Sequence, residues 1–204
     1  MVSIIGAGPI GNYTAYLFAK KGYDTHVYEE HSVIGKPVQC TGITTLYLKD
    51  VLDHINDNED FIVNFIDKTR VFSPNGSSVD VPLKRNYIVD RTLFDQYLGE
   101  LATSEGAHMH HGHKFLDCVQ DKGNIKMKFA NGVKHDTTLI GADGPSSPVA
   151  RSVGIYGTRS FALGVQARVT LKDPVERNVV DFFLDKGYFG WLVPEDERTV
   201  RLGV

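Results

Sequence analysis

The glycine-rich turn Gly6-Ala7-Gly8-Pro9-Ile10-Gly11 constrains this sequence more than any other feature. It follows the apolar run Val2-Ser3-Ile4-Ile5 and precedes a helical pattern over residues 13–21. A second strand is predicted over residues 23–28, and it runs directly into Glu29. This order of strand, turn, helix and strand predicts a Rossmann-like α/β unit.

Each glycine of the turn has a separate physical task. Gly6 permits the tight turn, Gly8 lets the backbone approach a pyrophosphate, and Gly11 lets helix and strand pack closely. Glu29 lies 18 residues beyond Gly11, close to the spacing at which a carboxylate binds ribose hydroxyls. An unphosphorylated ribose, and hence FAD or NAD rather than NADP, is therefore expected. A glycine-rich turn in an ordinary α/β fold is the alternative, but it does not require the carboxylate.

Composition excludes several classes of protein. The 204 residues carry 22 Lys and Arg against 25 Asp and Glu, a balance without the excess positive charge of a dedicated nucleic-acid binder. Cys40 and Cys118 are the only cysteines, too few for a disulfide framework, so a reducing compartment is expected. No apolar stretch reaches the length of a membrane span. We expect a cytoplasmic protein, with a peripheral membrane contact left open.

The remaining sequence is rich in predicted strands around one helix. A hairpin is predicted over residues 69–83, a separate short strand over 86–89 and an amphipathic helix over 91–102. Further strand-like segments cover residues 114–120, 125–129, 133–140, 161–171, 179–184, 187–193 and 199–204. We interpret residues 1–155 as a nucleotide-binding domain with an inserted β-meander. Residues 156–204 are interpreted as the start of an antiparallel-sheet substrate domain.

A histidine cluster and the hydrolytic motifs give no competing assignment. The cluster consists of His108, His110, His111 and His113. A metal site there is disfavoured because only alternate residues of a strand share a face, and no metal is predicted. No Ser-His-Asp arrangement or GxxxxGK loop supports a hydrolase or a nucleoside triphosphatase.

Four further motifs follow the glycine turn. They are PVQCTG at residues 37–42, VDRTLFD at 89–95, GADGPSSPVAR at 141–151 and GYFGWLVP at 187–194. In this order the motifs resemble the geranylgeranyl reductase family of FAD-dependent oxidoreductases, within the flavoprotein group of the para-hydroxybenzoate hydroxylase type. The chain departs from the family pattern at Phe189, where Tyr is usual, at Val193, where Phe is usual, and at Glu30, where a basic residue commonly follows the acid.

The resemblance implies FAD as cofactor and assigns roles to particular residues. The cofactor-binding set is Gly6, Gly8, Ile10, Gly11, Glu29, Cys40, Thr41, Gly42, Ile43, Arg91, Phe115, Asp143 and Gly144. Cys40 is also the candidate catalytic residue beside the flavin, and Phe189 and Trp191 line an apolar substrate tunnel. The residues alone favour an inert thiol for Cys40 and a core aromatic for Trp191, and they allow Arg91 to be a surface cation.

The implied reaction is reduction of isolated double bonds in geranylgeranyl or other polyprenyl chains of lipids or lipid precursors, including polyprenyl diphosphates. NAD(P)H or another reductant would supply the electrons. Two alternatives stay open: an FAD-dependent aromatic monooxygenase, and a non-catalytic nucleotide-binding fragment. The family carries a second FAD motif, a Gly-Asp pair downstream of the Trp motif, that this sequence lacks. The resemblance therefore implies that the chain is the N-terminal part of a longer protein.

Overall fold

The computed structural model describes residues 1–45, 47–52 and 59–204. The chain divides into two compact units, here called unit 1 and unit 2. Unit 1 consists of Met1–Val38 and Thr92–Ser160, and unit 2 of Gln39–Arg91 and Phe161–Val204. None of the helices in the described ranges is long and apolar enough to cross a bilayer.

The helices of the described residues are α1 (Pro9–Lys20), α2 (Leu48–Val51), α3 (Arg91–Ser104) and α4 (Pro148–Ser152). The strands are β1 (Val2–Ile5), β2 (Thr25–Tyr28), β3 (Ile43–Thr44), β4 (Ile62–Phe72), β5 (Ser78–Val89), β6 (His108–His110), β7 (Phe115–Asp121), β8 (Asn124–Phe129), β9 (Gly132–Asp136), β10 (Leu139–Gly141), β11 (Gln166–Thr170), β12 (Val179–Asp185), β13 (Tyr188–Pro194) and β14 (Thr199–Gly203).

Unit 1 is built on a four-stranded parallel sheet in the order β10-β1-β2-β6. All four residues of β1 are buried, as an apolar strand in the middle of a parallel sheet requires. Helix α1 packs Ala15, Tyr16 and Ala19 into the core beside Val27 of β2, a spacing that places them on one helix face. The predicted Rossmann-like α/β sheet is confirmed.

A three-stranded antiparallel meander, β7-β8-β9, lies in the chain between the parallel strands β6 and β10 and confirms the predicted insertion. One predicted strand, residues 133–140, is wrong: the structure divides it into β9 and β10. Asp136 lies at the break and is buried, where it accepts hydrogen bonds from the Ser3 hydroxyl (2.7 Å) and the Thr137 amide (2.6 Å). This turn ends the meander and lets β10 enter the parallel sheet beside β1.

Unit 2 contains a seven-stranded sheet in the order β11-β14-β13-β12-β4-β5-β3, in which only the β12–β4 pair is parallel. The hairpin around Pro74-Asn75-Gly76 is present, with longer arms than the sequence predicted. The predicted separate strand at residues 86–89 is wrong, because these residues end β5. A register shift between Ile66 and Lys68 keeps β4 and β5 paired past Pro82.

The sheet organisation agrees with the α/β class expected from the sequence. The domain boundary predicted near residue 155 stays a prediction; the compact units group residues 39–91 with residues 161–204.

Candidate functional site

Two glycines of the turn are required by close backbone packing. A Cβ atom on Gly6 would lie 2.5 Å from the carbonyl oxygen of Ala142, and Gly6 has a φ of +97°. A Cβ atom on Gly11 would collide with the carbonyl oxygen of Gly6. The first turn of α1 therefore lies directly against the end of β1, as the sequence predicted.

Gly8 differs from its neighbours because its surroundings are open. A Cβ atom there would meet no protein atom within 4 Å. Gly8 is the N-cap of α1, no side chain caps this helix end, and its first turn has no acidic residue. Ile10 is 73% exposed at the same end. The amides of Gly6 and Ala7 already donate to Tyr28 and Glu29, but the start of α1 and the positive end of its helix dipole are available to an anion such as a pyrophosphate.

Glu29 is physically connected to the glycine turn. Its Oε2 accepts a hydrogen bond from the Ala7 amide (2.9 Å), and its Oε1 accepts from the amide (3.0 Å) and the Nδ1 (2.6 Å) of His31. Burial opposes ionisation, but these donors outweigh it and hold the pKa of Glu29 below its ordinary value. An ionised carboxylate has about four acceptor positions, so one stays available for a ribose hydroxyl.

The Asp143-Gly144 turn follows β10. The Asp143 carboxylate accepts hydrogen bonds from the Ser147 hydroxyl (2.6 Å) and the Val149 amide (2.8 Å), so it organises the start of α4. Gly144 has a φ of +75°, which makes the turn sharp. These two hydrogen bonds take about half of the acceptor positions of the carboxylate, so a cofactor contact at this turn could use the backbone groups of Gly144 or a remaining position on Asp143.

Phe115 begins the meander and is buried against Phe129, with ring centroids 5.8 Å apart. Its side chain therefore belongs to the core of unit 1, and the β7–β8 ladder shifts register directly after it, between Phe115 and Asp117. The predicted adenine contact was assigned to backbone atoms of this strand, and it stays a prediction.

Two open clefts lie beside the segment that follows Glu29, both within unit 1. One has a volume of about 450 Å³ and the other of about 570 Å³, within the usual range for ligand pockets. Val33 borders both, Ile34 and Met109 border the first, and Pro37 and Val38 border the second.

Two residues of unit 1 have roles that the motif search missed. The buried Asn12 side chain donates to the carbonyl oxygens of Ala7 and Asp95, both at 2.9 Å, and so ties the glycine turn to α3. His31 supplies two of the donors to Glu29. Asn12 lies in α1, but its role in joining the glycine turn to α3 becomes visible only through its hydrogen bond to the distant Asp95.

His26 lies beside the histidine cluster identified in the sequence. His26 pairs with His108 across β2 and β6, and with Asp24 they offer three possible ligand atoms within 4.8 Å of one another. Both ring nitrogens of His26 already have partners, however: Asp24 at 3.0 Å and His110 at 2.9 Å.

In unit 2, the loop Cys40-Thr41-Gly42-Ile43 is held tightly. Gly42 has a φ of +83°, and a Cβ atom there would lie 2.5 Å from Nη1 of Arg201. Its carbonyl oxygen accepts a hydrogen bond from the Val89 amide (2.8 Å). The Cys40 side chain is exposed, and its Sγ lies 3.4 Å from the Gly42 amide.

Arg201 is the residue that fixes this loop, and sequence reasoning missed it. Its buried guanidinium donates to the carbonyl oxygens of Thr41 and Val89, the latter at 2.9 Å, and to the Glu195 carboxylate at 2.8 Å. The Glu195 side chain is also largely buried. The loop backbone is therefore held by a buried ion pair between Arg201 of β14 and Glu195, the residue that follows β13.

Trp191 lies across its neighbouring strand. A Cβ atom on Gly203 would collide with the indole, which therefore lies flat on that residue. The indole Nε1 donates to Oε1 of Gln166 (3.0 Å), and the Thr41 hydroxyl donates to the same oxygen (2.8 Å). The predicted loop and the predicted substrate-lining tryptophan thus share one acceptor.

One face of the unit 2 sheet is apolar well beyond the buried core. The apolar face comprises Val71, Val79, Val81, Phe182, Leu184, Phe189 and Trp191, which the strand registers place on the same side. Phe189 is 49% exposed and its ring centroid lies 5.7 Å from that of Trp191. The opposite face carries the ion pairs of Arg70 with Asp80 (2.7 Å) and Glu176 (2.9 Å).

The predicted site residues fall into two sets. Unit 1 contains Gly6, Gly8, Ile10, Gly11, Glu29, Phe115, Asp143 and Gly144, and unit 2 contains Cys40, Thr41, Gly42, Ile43, Arg91, Phe189 and Trp191. Arg91 is half-buried as the first residue of α3.

Several curated proteins match this chain over its whole length. The digeranylgeranylglycerophospholipid reductase of Methanosarcina acetivorans is 27% identical over 220 residues, an alignment that covers 100% of this chain and 53% of the relative. The chain spans about half the length of the curated relatives it matches.

Solved structures share the fold. A geranylgeranyl bacteriochlorophyll reductase-like protein from Thermoplasma acidophilum has a TM-score of 0.83 at 24% identity, covering 100% of this chain and 55% of that one. The p-nitrophenol 4-monooxygenase of Pseudomonas putida has a TM-score of 0.78 at 16% identity, covering 99% of this chain and 56% of that one. At these identities the likeness is one of fold.

The residues of unit 1 fit the nucleotide half of FAD. The open space at Gly8, the uncapped start of α1 and the remaining acceptor position of Glu29 suit a pyrophosphate and a ribose. A family model described as an FAD binding domain matches residues 1–201 and thus runs through both units. The resemblance seen in the motifs is confirmed by the reductases that match the whole of this chain. Geometry and family match lead to the same cofactor, and we conclude that the chain belongs to the FAD binding domain family.

Proposed function

We propose that this chain forms part of an FAD-dependent oxidoreductase that reduces isolated double bonds in geranylgeranyl or other polyprenyl chains of lipids or lipid precursors. The observation that carries the proposal is the apolar face of unit 2, which leaves Phe189 and Leu184 about half exposed in line with Trp191. Exposed apolar surface of this extent is typical of a contact with an apolar ligand. The names of the relatives that match the whole of this chain support the same substrate class.

In unit 1, the proposed roles concern the nucleotide. Gly8, Ile10 and Gly11 would bind the pyrophosphate through backbone amides, and Glu29 would bind the ribose. Gly6, whose amide donates to the Tyr28 carbonyl oxygen (2.9 Å), would shape the turn that holds the cofactor. We also propose backbone contacts of the strand at Phe115 with the adenine and of Asp143 and Gly144 with the cofactor.

In unit 2, the proposed roles concern the flavin and the substrate. The backbone of Cys40, Thr41, Gly42 and Ile43 would contact the flavin, and Arg91 would contact a phosphate or the flavin. The Cys40 thiol is the candidate catalytic group. Its exposure and the rigid support of its loop by Arg201 favour this role.

The chemistry required of the chain is mainly positioning. FAD, when bound and reduced, would supply hydride chemistry to one alkene carbon, and an acid would supply a proton to the other. An unactivated alkene has no carbonyl group to polarise, so side chains must orient the chain and exclude water. Phe189 and Trp191 offer flat apolar surfaces for that purpose. NAD(P)H or another reductant is the proposed electron source, and the substrate would be met at a membrane surface or as a polyprenyl diphosphate.

The test uses the FAD-loaded enzyme, a geranylgeranyl lipid and a reductant under anaerobic conditions. Mass spectrometry should detect the addition of two hydrogens per reduced bond. Phe189→Leu should slow this reaction, whereas the matched change Phe183→Leu, on the opposite face of the same sheet, should not.

Other outcomes would contradict the proposal in distinct ways. Hydroxylation of an aromatic compound in air, without prenyl reduction, would identify an aromatic monooxygenase. Absence of any bound or reconstitutable FAD would leave a non-catalytic nucleotide-binding fragment.

A further inference from the structure

We propose that Gln166 is a positioning residue that couples the Cys40–Ile43 loop to Trp191 and makes the indole present only apolar surface to the substrate. This inference rests on the function proposed above. No sequence motif includes Gln166.

The sheet register creates the geometry. Trp191 of β13, Gly203 of β14 and Gln166 of β11 are directly paired across three neighbouring strands. Because Gly203 has no side chain, the indole can cross β14 and bring Nε1 to Oε1 of Gln166 (3.0 Å). Gly164 borders the far edge of the ring, where its Cβ would lie 3.3 Å from Cη2. Two glycines and one amide thus define the position of the ring.

The amide oxygen of Gln166 is fully used. It has two acceptor positions, one taken by the indole N–H and the other by the Thr41 hydroxyl at 2.8 Å. A movement of either donor therefore changes the position available to the other. This shared oxygen is the only link needed to couple the loop to the aromatic ring.

Thr41 is itself held from the opposite direction. Its carbonyl oxygen accepts a hydrogen bond from the buried Arg201, which the Glu195 carboxylate orients at 2.8 Å. The loop is therefore the fixed partner and the indole the adjustable one. Gln166 transfers the position of the loop to Trp191.

The chemical consequence concerns substrate choice. An indole N–H left without an acceptor would be a polar donor facing a hydrocarbon, which is unfavourable because the donor loses its hydrogen bond to water. With Gln166 as acceptor, the ring offers Phe189 and the substrate an apolar surface alone. The arrangement favours a hydrocarbon chain over a ligand that needs a hydrogen-bond donor.

Trp191 is the single tryptophan of the chain, so its fluorescence reports this arrangement directly. Gln166→Leu should shift the emission maximum, and Thr41→Val should shift it in the same sense by releasing the shared oxygen. In a Gln166→Leu background, Thr41→Val should cause no further shift of the emission maximum. Gln120→Leu, the same change at an exposed position of β7, is the matched control and should leave the emission unchanged.

The kinetic arm uses the FAD-loaded enzyme and a geranylgeranyl lipid. Gln166→Leu should raise KM about tenfold, the effect of one lost hydrogen bond, with a smaller change in kcat and unchanged FAD affinity. Gln166→Glu keeps an acceptor oxygen and should restore most of the KM.

The two proposals fail in different ways. If Thr41→Val and Gln166→Leu shift the emission independently, or if Gln166→Leu leaves both the emission and KM unchanged, the role of Gln166 is refuted. If the wild-type enzyme does not reduce the lipid at all, the proposed function fails, while the fluorescence arm still decides whether the coupling exists. Thr41→Val changes a single hydroxyl and keeps this test available should Gln166→Leu fail to fold.

Discussion

The two units hold their candidate sites by different physical means. In unit 1 the site consists mainly of backbone: amides at the start of α1, the open position at Gly8 and one carboxylate, Glu29, fixed by two main-chain amides and the His31 ring. In unit 2 it consists of side chains that bridge strands, with the buried Arg201–Glu195 pair at one end and Gln166 at the other. A backbone site depends on steric fit at glycines, whereas a side-chain network depends on charge pairing in a buried environment.

The largest expected effect is at the ion pair of unit 2. Arg201→Met removes the buried partner of Glu195, which keeps only the exposed Arg168, and takes the donor from the carbonyl oxygens of Thr41 and Val89. We expect this to destabilise the protein by about 3–5 kcal/mol. Denaturant unfolding followed by Trp191 fluorescence measures this change.

Arg168 is the matched control for Arg201, because it pairs with the same Glu195 carboxylate at 2.6 Å but is exposed. Arg168→Met should leave the unfolding midpoint unchanged. Equal destabilisation by both variants would contradict the view that burial of Arg201 gives unit 2 its rigidity.

The next effect tests the steric requirement of unit 1. Gly11→Ala places a Cβ atom against the Gly6 carbonyl oxygen, and the rigid backbone there should make the cost about 3 kcal/mol. Gly8→Ala should fold normally, because its Cβ atom meets no protein atom, yet should weaken FAD binding by occupying the phosphate approach. Thermal unfolding and FAD titration separate the two quantities. Normal FAD affinity in Gly8→Ala would argue against a pyrophosphate at this turn.

A smaller effect concerns Glu29 and pH. Since its folded-state pKa is lowered, its stabilising contribution is complete above the unfolded pKa of about 4.3 and is lost as the pH falls through the folded value. Glu29→Gln should therefore flatten the acid limb of the stability curve. It should also weaken FAD binding about tenfold through the ribose. An unchanged acid limb would show that the hydrogen bonds from Ala7 and His31 do not depend on the charge.

The smallest effect has the opposite sign and lies in unit 2. Burial raises the pKa of Asp181, and its Oδ1 has no hydrogen-bond partner among the described residues. The folded state therefore binds this proton more tightly than the unfolded state, so stability should increase as the pH falls through the folded value. Asp181→Asn should remove that dependence and slightly stabilise the protein at neutral pH. Unfolding curves at several pH values measure this dependence, and a wild-type stability that Asp181→Asn leaves with the same pH dependence would contradict the prediction.

The fold was predictable where the signal is local. The glycine turn, α1, α3 and the hairpin at Pro74-Asn75-Gly76 each follow from a short stretch of sequence. The errors at residues 86–89 and 133–140 arose where a distant strand or a buried side chain decided the pairing. Ser3 and Asp136, for example, are 133 positions apart, and their hydrogen bond marks the end of β9.

The candidate site divides in the same way. The turn at Gly6–Gly11 and its carboxylate Glu29 were predictable from the sequence, because a glycine turn, a helix start and the spacing to the end of the next strand belong to one short stretch of chain. Only the tertiary structure revealed Arg201 and Gln166, which act on Thr41 from 160 and 125 positions away. A hydrogen bond between distant side chains depends on strand register, and register is settled by the packing of the whole sheet.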